Sequence, residues 1–318
     1  MTEFKIVGAN ELRTLLDWQS LIAAIEEMFR GRCEMPKRHH HDIEVPGSDD
    51  ATLILMPAWV PGGHMGVKIV DVFPGNARAG LAAVNATYML FSGTTGETLA
   101  MIDGGELTAR RTAATSVLAA RRLARADAGR ILIVGTGRMA GNLARAYGSD
   151  RPAATIAIWG RSAEKAGALA DRLAAEGIPT AAVRDLEAAV RDADIVSTAT
   201  LSASPLVKGA WLKPGAHLDL VGGYTPAMRE ADDEAVRRAS VFVDTRAGAM
   251  SEAGDIAAPL ANGTLTREAV LADLFDLARG AHPGRTSADE ITLFKSVGAA
   301  LEDLAAAVLA YRRAGEGG

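Results

Sequence analysis

The chain of 318 residues has a single cysteine, few aromatic residues and no excess of positive charge. Cys33 alone excludes an internal disulfide and is typical of a reducing compartment. The net charge of −5 gives no electrostatic footprint for nucleic acid. No apolar run reaches the roughly eighteen residues of a membrane span, and the N-terminus lacks a signal-peptide pattern. These absences predict a soluble cytoplasmic protein without nucleic-acid or membrane partners.

A strand, a glycine turn, a helix and a second strand follow one another between residues 130 and 162. Four apolar residues, Ile131–Val134, are typical of a buried parallel strand. The turn has the G-x-G-x-x-A pattern, formed by Gly135, Thr136, Gly137, Arg138, Met139 and Ala140. Gly135 permits the tight turn, and Gly137 lets a pyrophosphate approach the backbone at the helix N-terminus. Since Thr155–Trp159 follows as a second strand, the pattern predicts a dinucleotide-binding βαβ unit.

The end of the second strand lacks the acid that NAD enzymes usually place on the ribose 2′-hydroxyl. Gly160, Arg161 and Ser162 stand there instead. A guanidinium and a hydroxyl suit a 2′-phosphate, although Arg161 could also be solvated and Ser162 could be a helix cap. We therefore predict NADP(H) as the preferred cofactor, with NAD(H) possible.

The chain after residue 180 alternates short strands with helices, which predicts a doubly wound parallel sheet. Strands are expected at 181–183, 194–200, 216–223 and 240–244. Ligands of such sheets lie beyond the carboxyl ends of the strands. This rule places near the cofactor Thr198, Ala199, Thr200, Val221 and Gly222.

The first third of the chain combines one helix with short strands. A helix is expected over 11–32, and strands over 52–56, 66–72, 83–91 and 97–102, with Pro57 ending the first strand and a hairpin at Ser92–Gly96. Lys68 interrupts an apolar strand, and the pattern leaves open whether it is buried with a partner or points to solvent. Three consecutive histidines, His39–His41, would alternate between strand faces, so we expect no metal site.

Several motifs occur in the order found in a known family. They are Gly66–Val70, Phe73–Asn76, Leu107-Thr108, Arg111–Ala114, Gly135–Gly137, Val221–Gly223, Arg229-Glu230 and Glu290–Ser296. Together they resemble the ornithine cyclodeaminase/mu-crystallin family over nearly the whole chain. The resemblance implies a homodimer, with a Rossmann-type doubly wound NAD(P)-binding domain at 116–295. It also implies an α+β domain for substrate binding and dimerisation, formed by 1–115 and 296–318, with a final helix over 296–313 packing back on it.

The resemblance also implies roles for single residues. Arg38 and Arg111 correspond to arginines that bind the substrate carboxylate, and Lys68 corresponds to a lysine beside the reacting carbon and nitrogen. Thr112 would hold cofactor phosphate, while Lys295 and Ser296 would flank the nucleotide. A carboxylate held by two cations is fixed in orientation, so that the C=N carbon can meet the nicotinamide.

One position departs from the cyclodeaminase pattern. Cyclodeaminases have an aspartate directly after the Val-Gly-Gly stretch, where it contacts the substrate amine, and this chain has Tyr224 there. The residues therefore favour an NADPH-dependent reductase of a cyclic imino acid, with Tyr224 lining the substrate site. The alternatives are an ornithine cyclodeaminase, an oxidoreductase similar to alanine dehydrogenase, and a non-enzymatic binder of NADPH and a small hormone.

Overall fold

The computed structural model describes residues 4–316. The chain divides into two compact units: unit 1 is Met1–Arg111 with Ala299–Gly318, and unit 2 is Thr112–Gly298. The predicted boundaries, after residue 115 and before residue 296, differ from these by a few positions. The fold class, a Rossmann-type doubly wound domain with an α+β domain built from both chain ends, is confirmed.

The described residues form fourteen strands and eleven α-helices. The strands are β1 (Lys5–Val7), β2 (His39–Ile43), β3 (Ala51–Trp59), β4 (His64–Val72), β5 (Val84–Ser92), β6 (Thr98–Asp103), β7 (Arg130–Val134), β8 (Thr155–Trp159), β9 (Thr180–Ala182), β10 (Ile195–Thr198), β11 (His217–Leu220), β12 (Ser240–Val243), β13 (Val270–Asp273) and β14 (Thr292–Lys295). The helices are α1 (Ala9–Leu15), α2 (Trp18–Arg30), α3 (Gly104–Leu123), α4 (Arg138–Asp150), α5 (Ala163–Ala175), α6 (Leu186–Asp192), α7 (Asp233–Arg238), α8 (Arg246–Glu252), α9 (Gly254–Ala261), α10 (Leu274–Ala278) and α11 (Ala300–Glu316).

Unit 1 is built on a six-stranded sheet in the order β1-β6-β5-β4-β3-β2. Its pairings are antiparallel except for β1 with β6. The predicted sheet and its hairpin are confirmed, and β1 is an addition that the sequence pattern did not indicate. Helix α11 contacts α2 and strands β3 and β4, as predicted for the final helix. The last helix therefore completes the core of the unit that the first residues begin.

Two helices stand where a single helix over 11–32 was predicted. Asp17 begins the second helix, because its carboxylate accepts the amide of Ser20 at 3.0 Å. The carbonyl of Leu16, which the break leaves outside a helix, accepts from the guanidinium of Arg110, with Nε at 3.1 Å. The prediction was wrong because the apolar spacing continues across a capping aspartate.

Pro57 lies inside β3, so the prediction that it ends this strand was also wrong. Strand β2 pairs with β3 only as far as Leu55, which lies opposite His39. The nitrogen of Pro57 points to the β2 side of the strand, as the amide of Trp59 does, but it lies beyond the last residue that pairs with β2. Strand β4 pairs with β3 on the opposite side. Because β2 needs no N–H there, proline does not interrupt the strand.

Unit 2 is built on an eight-stranded parallel sheet in the order β13-β12-β14-β11-β10-β7-β8-β9. Strands β7 and β10 are neighbours, although β8 and β9 come between them in the chain, so the crevice of a doubly wound sheet lies at this point. Strands β13 and β14 were not predicted. Each has only four residues, and β14 inserts between β11 and β12.

Within residues 4–316, no helix is long and apolar enough to cross a membrane. In the same range, no group of three or more His, Cys, Asp and Glu side chains could hold a metal ion. The consecutive histidines lie on the exposed edge strand β2.

Candidate active site

The predicted cofactor residues of unit 2 meet at one edge of the parallel sheet. All pairings are parallel, so the carboxyl ends of β7, β8, β10, β11 and β14 lie side by side. These ends carry the glycine turn, Gly160 to Ser162, Thr198 to Thr200, Val221 with Gly222, and Lys295 with Ser296. Their role as cofactor ligands stays a prediction, but the topology brings them to one place.

The glycine turn after β7 has an open backbone at the start of a helix. Gly135 has a φ of 142°, and a Cβ there would lie 2.6 Å from the carbonyl oxygen of Ala199, so only glycine fits. A Cβ on Gly137 would meet no atom within 4 Å, which leaves the backbone open to a ligand. Helix α4 begins directly afterwards, and no side chain caps its N-terminus. Its first amides can therefore bind the phosphates of a dinucleotide.

The turn after β8 has no room for an acid at Gly160. A Cβ there would lie 2.4 Å from the Cγ2 atom of Thr136, so an aspartate would displace that side chain. Ser162 caps α5 by accepting the amide of Lys165 at 3.2 Å. Arg161 is exposed and makes no side-chain hydrogen bond or ion pair within residues 4–316. The guanidinium is thus available to a ligand at this corner of the sheet.

Glu230 holds the loops that follow β10 and β11, and sequence reasoning did not assign it a role. The side chain is fully buried. Its Oε1 accepts hydrogen bonds from the amide of Thr200 at 2.7 Å and from the hydroxyl of Thr200 at 2.8 Å. Its Oε2 accepts the amides of Gly222 at 2.7 Å and Gly223 at 3.4 Å. One carboxylate therefore fixes two loops at the predicted cofactor edge. Its place beside Arg229 in a family motif was the only signal in the sequence.

Lys295 is fully buried at the end of β14, and its ammonium lies 3.3 Å from the carboxylate of Asp255. The same carboxylate accepts the amides of Glu230 at 2.7 Å and Ala231 at 3.2 Å. Lys295 thus pairs with the carboxylate of Asp255, which also binds the backbone at Glu230. The contact of Lys295 with a nucleotide stays a prediction. Ser296 is also buried, and no described group bonds its hydroxyl.

Asp219 lies inside β11 and accepts hydrogen bonds from three buried hydroxyls. The donors are Ser116 at 3.1 Å, Tyr147 at 3.2 Å and Ser197 at 2.5 Å. Burial raises the pKa of Asp219 to about 6, against the opposing effect of the three hydroxyls. This cluster joins α3, α4 and β10 to β11.

In unit 1, Lys68 is buried, which resolves the alternative that the sequence pattern left open. Its side chain is on β4, and its ammonium lies 2.8 Å from the carboxylate Oδ2 of Asp303 on α11. Burial lowers the pKa of Lys68 to about 8. The charges of Arg111 and Arg38 lower this pKa further, while Asp303 raises it in part.

Arg111 shares the carboxylate of Asp303 with Lys68. Its Nε donates to Oδ1 of Asp303 at 2.8 Å, and its Nη1 donates to Oε2 of Glu302 at 2.6 Å. Burial disfavours these charges, but Arg111 and Lys68 still hold the pKa of Asp303 below its usual value. The same acids hold the pKa of Arg111 above its usual value, against burial. Sequence reasoning missed both acids.

The remaining predicted residues lie in the following places. Arg38 is half-buried just before β2, near enough for its charge to act on Lys68. Thr112 is buried on α3, where unit 2 begins. Tyr224 lies in the loop after β11 and is 46% exposed. Unit 1 thus brings together Arg38, Lys68 and Arg111, while the roles proposed for Thr112 and Tyr224 stay predictions.

Comparisons with known proteins agree over the whole chain. The model described as the ornithine cyclodeaminase/mu-crystallin family matches residues 3–318. A Δ1-pyrroline-2-carboxylate reductase of Paracoccus denitrificans is 40% identical over 290 residues, which are 91% of this chain and 90% of that protein.

Two solved structures are similar in fold. A Δ1-pyrroline-2-carboxylate reductase of Thermococcus litoralis, in complex with NADH and L-proline, has a TM-score of 0.90 and 31% identity over 98% of each chain. An archaeal alanine dehydrogenase dimer with bound NAD has a TM-score of 0.90 and 30% identity, covering 98% of this chain and 96% of that one. The predicted family is confirmed: the chain belongs to the ornithine cyclodeaminase/mu-crystallin family.

Proposed function

We propose that the protein reduces a cyclic ketimine carboxylate with NADPH. The products would be L-proline from Δ1-pyrroline-2-carboxylate and L-pipecolate from Δ1-piperideine-2-carboxylate. The general class, an NAD(P)H-dependent oxidoreductase acting on C=N bonds, is that of the named reductases, and the prediction of this class is confirmed. The substrate proposal depends on one observation: the buried ammonium of Lys68 and the guanidinium of Arg111 contact the same carboxylate, that of Asp303.

Reduction of a C=N bond requires a held substrate, a hydride and a proton. A bound nicotinamide cofactor supplies the hydride. Arg111 and Arg38 would hold the substrate carboxylate and so fix the orientation of the ring. Lys68 would give a proton from its ammonium to the ring nitrogen as the C=N π bond is replaced by new C–H and N–H bonds. Solvent then returns a proton to the neutral amine of Lys68.

The electrostatics of unit 1 support Lys68 as the proton donor. A pKa of about 8 leaves the side chain mainly protonated at neutral pH but acidic enough to transfer the proton. An ordinary lysine, with a pKa near 10.4, would be a weaker acid. Burial of Lys68 is therefore consistent with a catalytic role as well as with a structural ion pair.

Cyclodeamination makes a further demand that this chain does not meet at the expected position. The departing amine needs a counter-ion, and Tyr224 stands where cyclodeaminases have aspartate. A phenol at this position does not provide the carboxylate that pairs with an ammonium. Imine reduction makes no such demand.

The test is an assay of the purified protein against three classes of substrate and one class of ligand. We expect oxidation of NADPH with Δ1-pyrroline-2-carboxylate or Δ1-piperideine-2-carboxylate, and little ammonia release from ornithine with catalytic NAD. Pyruvate with ammonia tests the alanine-dehydrogenase alternative. Tight binding of a small hormone without turnover would favour a binder similar to mu-crystallin. Proline and ammonia from ornithine, with no oxidation of NADPH by the imines, would contradict the proposal.

We propose NADP(H) as the preferred cofactor, with NAD(H) possible. The support is the exposed Arg161 beside Gly160, where a side chain would collide with Thr136. The two neighbours described above carry NADH or NAD. The preference therefore needs a direct measurement of kcat/KM with each cofactor.

We also propose that the protein is a homodimer through the outer face of the unit 1 sheet. Lys68 and α11 occupy the inner face, so its strand neighbour Val67 points outward. One cross-strand row on the outer face is apolar throughout: Ile6, Met101, Met89, Val67 and Pro57. Ile6 is 67% exposed and Met101 36%, which suits burial against a second copy. Molar mass from light scattering tests this proposal.

A further inference from the structure

We propose that Asp303 is a positioning residue that keeps the proton on Lys68 and sets the place of Arg111. This inference rests on the proposed reductase function, in which Lys68 donates the proton. Asp303 would not touch the reacting atoms, because its two oxygens face the two cations. Its effect on the reaction passes through them.

The geometry gives each carboxylate oxygen of Asp303 one cation. Oδ2 lies 2.8 Å from the ammonium of Lys68, and Oδ1 lies 2.8 Å from Nε of Arg111. Asp303 is fully buried, while Lys68 is 2% exposed and Arg111 4%. Water therefore screens these contacts little, and the acid is the common support of both cations.

The groups that face Lys68 come from four parts of unit 1. Asp303 of α11 favours the ammonium, whereas the charges of Arg111 on α3 and Arg38 before β2 disfavour it. Tyr88 lies opposite Lys68 on β5, and no described group bonds its buried hydroxyl. Burial and the charge of Asp303 raise the pKa of Tyr88, so this phenol stays neutral. Asp303 is thus the anion that keeps the proton on Lys68.

Glu302 provides a matched control beside Asp303. It is equally buried, and its Oε2 accepts a hydrogen bond from Nη1 of Arg111 at 2.6 Å, whereas the carboxylate that lies 2.8 Å from the ammonium of Lys68 is that of Asp303. Neutralising either acid weakens the support of Arg111. The loss of Asp303 removes the carboxylate that lies 2.8 Å from the ammonium of Lys68, whereas the loss of Glu302 leaves this ion pair in place.

The experiment compares Asp303→Asn, Asp303→Glu and Glu302→Gln with the unaltered protein. We expect the basic limb of kcat/KM for the cyclic imine, near pH 8 in the unaltered protein, to move at least about one pH unit lower in Asp303→Asn. Asp303→Glu should restore the limb in part. In Glu302→Gln the limb should stay near pH 8, while the KM for the imine rises. An unmoved limb in Asp303→Asn, or an equal shift in Glu302→Gln, would overturn the assignment.

A second readout needs no turnover. The pH titration of lysine Nζ or Cε signals by NMR, with Lys68→Arg to assign Lys68, reports its pKa directly. We expect a midpoint near 8 in the unaltered protein and a lower one in Asp303→Asn. If imines are not reduced but this midpoint still falls, the reductase proposal fails and the role of Asp303 in protonating Lys68 stands. An unchanged midpoint overturns that role whatever the activity.

Discussion

Two pairs of buried carboxylates, one pair in each unit, have different partners. In unit 1, Asp303 and Glu302 bond the charged side chains of Lys68 and Arg111. In unit 2, Glu230 bonds backbone amides and one hydroxyl, and Asp219 bonds three hydroxyls.

This difference separates two consequences of losing an acid. Loss of Asp303 or Glu302 would leave the buried cations Lys68 and Arg111 with less negative charge beside them. The protonation and the position of these side chains would then change. Loss of Glu230 or Asp219 would leave buried amides and hydroxyls without an acceptor. The loops and helices that carry these donors would then be held less firmly. The comparison predicts that Asp303 and Glu302 act on the reaction, and that Glu230 and Asp219 act on cofactor binding and stability.

The largest expected effect tests the chemical side of the comparison. Lys68→Met removes the proposed proton donor, and we expect kcat/KM for the cyclic imine to fall by about 10²–10⁴-fold. Lys165→Met, which changes an exposed lysine of unit 2, is the control. Binding of NADPH should persist in both variants. Full activity in Lys68→Met would remove this residue from the mechanism.

The next effect concerns stability in unit 2. The native pKa of Asp219 is about 6, above the unfolded value of 3.8, so the native state binds more protons between these pH values. Stability from this group is therefore present below about pH 4 and is lost as pH rises through 6. Relative to the unaltered protein, Asp219→Asn should gain about 3 kcal/mol of unfolding free energy between pH 3.8 and 7.5.

Chemical denaturation at several pH values measures this gain. Burial also lowers the pKa of His217, on the same strand, to about 3, so its contribution is lost as pH falls below 6.5. Because His217 is present in both proteins, the difference between them isolates Asp219. A difference that does not vary with pH would show that Asp219 is ionised in the native state throughout.

A smaller effect is expected at the Glu230 loops. Glu230→Gln replaces one acceptor oxygen by an amide nitrogen facing N–H groups, and a hydrogen bond to a charged group is worth roughly 1.5–3 kcal/mol. We expect the Kd for NADPH to rise about ten-fold or more, with the Kd for L-proline changed little. Glu234→Gln, which alters a partly exposed acid on α7, is the control. Equal losses for cofactor and product would contradict a role confined to unit 2.

The smallest effect concerns a cation that unit 2 leaves at the surface. Only NADPH carries the 2′-phosphate, so Arg161→Ala should weaken NADPH more than NADH. One charged hydrogen bond changes the ratio of the two Kd values by about ten-fold. Titration of cofactor fluorescence measures both constants. Equal losses would show that Arg161 has no part in the preference.

The sequence predicted best what depends on local patterns. Glycine spacing and an apolar run identified the turn at Gly135 and Gly137, because these features lie within one βαβ unit. The alternation around Lys68 gave two faces but could not tell which one α11 covers. The predictions at Asp17 and Pro57 were wrong. Only the fold shows that Asp17 caps a new helix inside an apolar repeat, and that β3 has no β2 partner at Pro57.

Long-range contacts explain what the sequence could not show. Arg111 meets Asp303 and Glu302 across 192 and 191 positions of the chain. Acids in the first turn of a helix are common because they suit the helix dipole, so their position in the sequence indicates no special role. Glu230 was visible only as part of a motif, because its bonds depend on where β10 and β11 end.

The position of Asp303 on α11 has a consequence for biosynthesis. A ribosome makes Lys68 and the whole sheet of unit 1 first, then all of unit 2, and only then α11. Until that helix emerges, the inner face of the sheet is uncovered and the ammonium of Lys68 lacks its carboxylate. Unit 2 is contiguous and can fold while the chain is still being made. Lys68 therefore acquires its carboxylate partner only after unit 2 has been made, so that a chain interrupted before α11 would lack this ion pair.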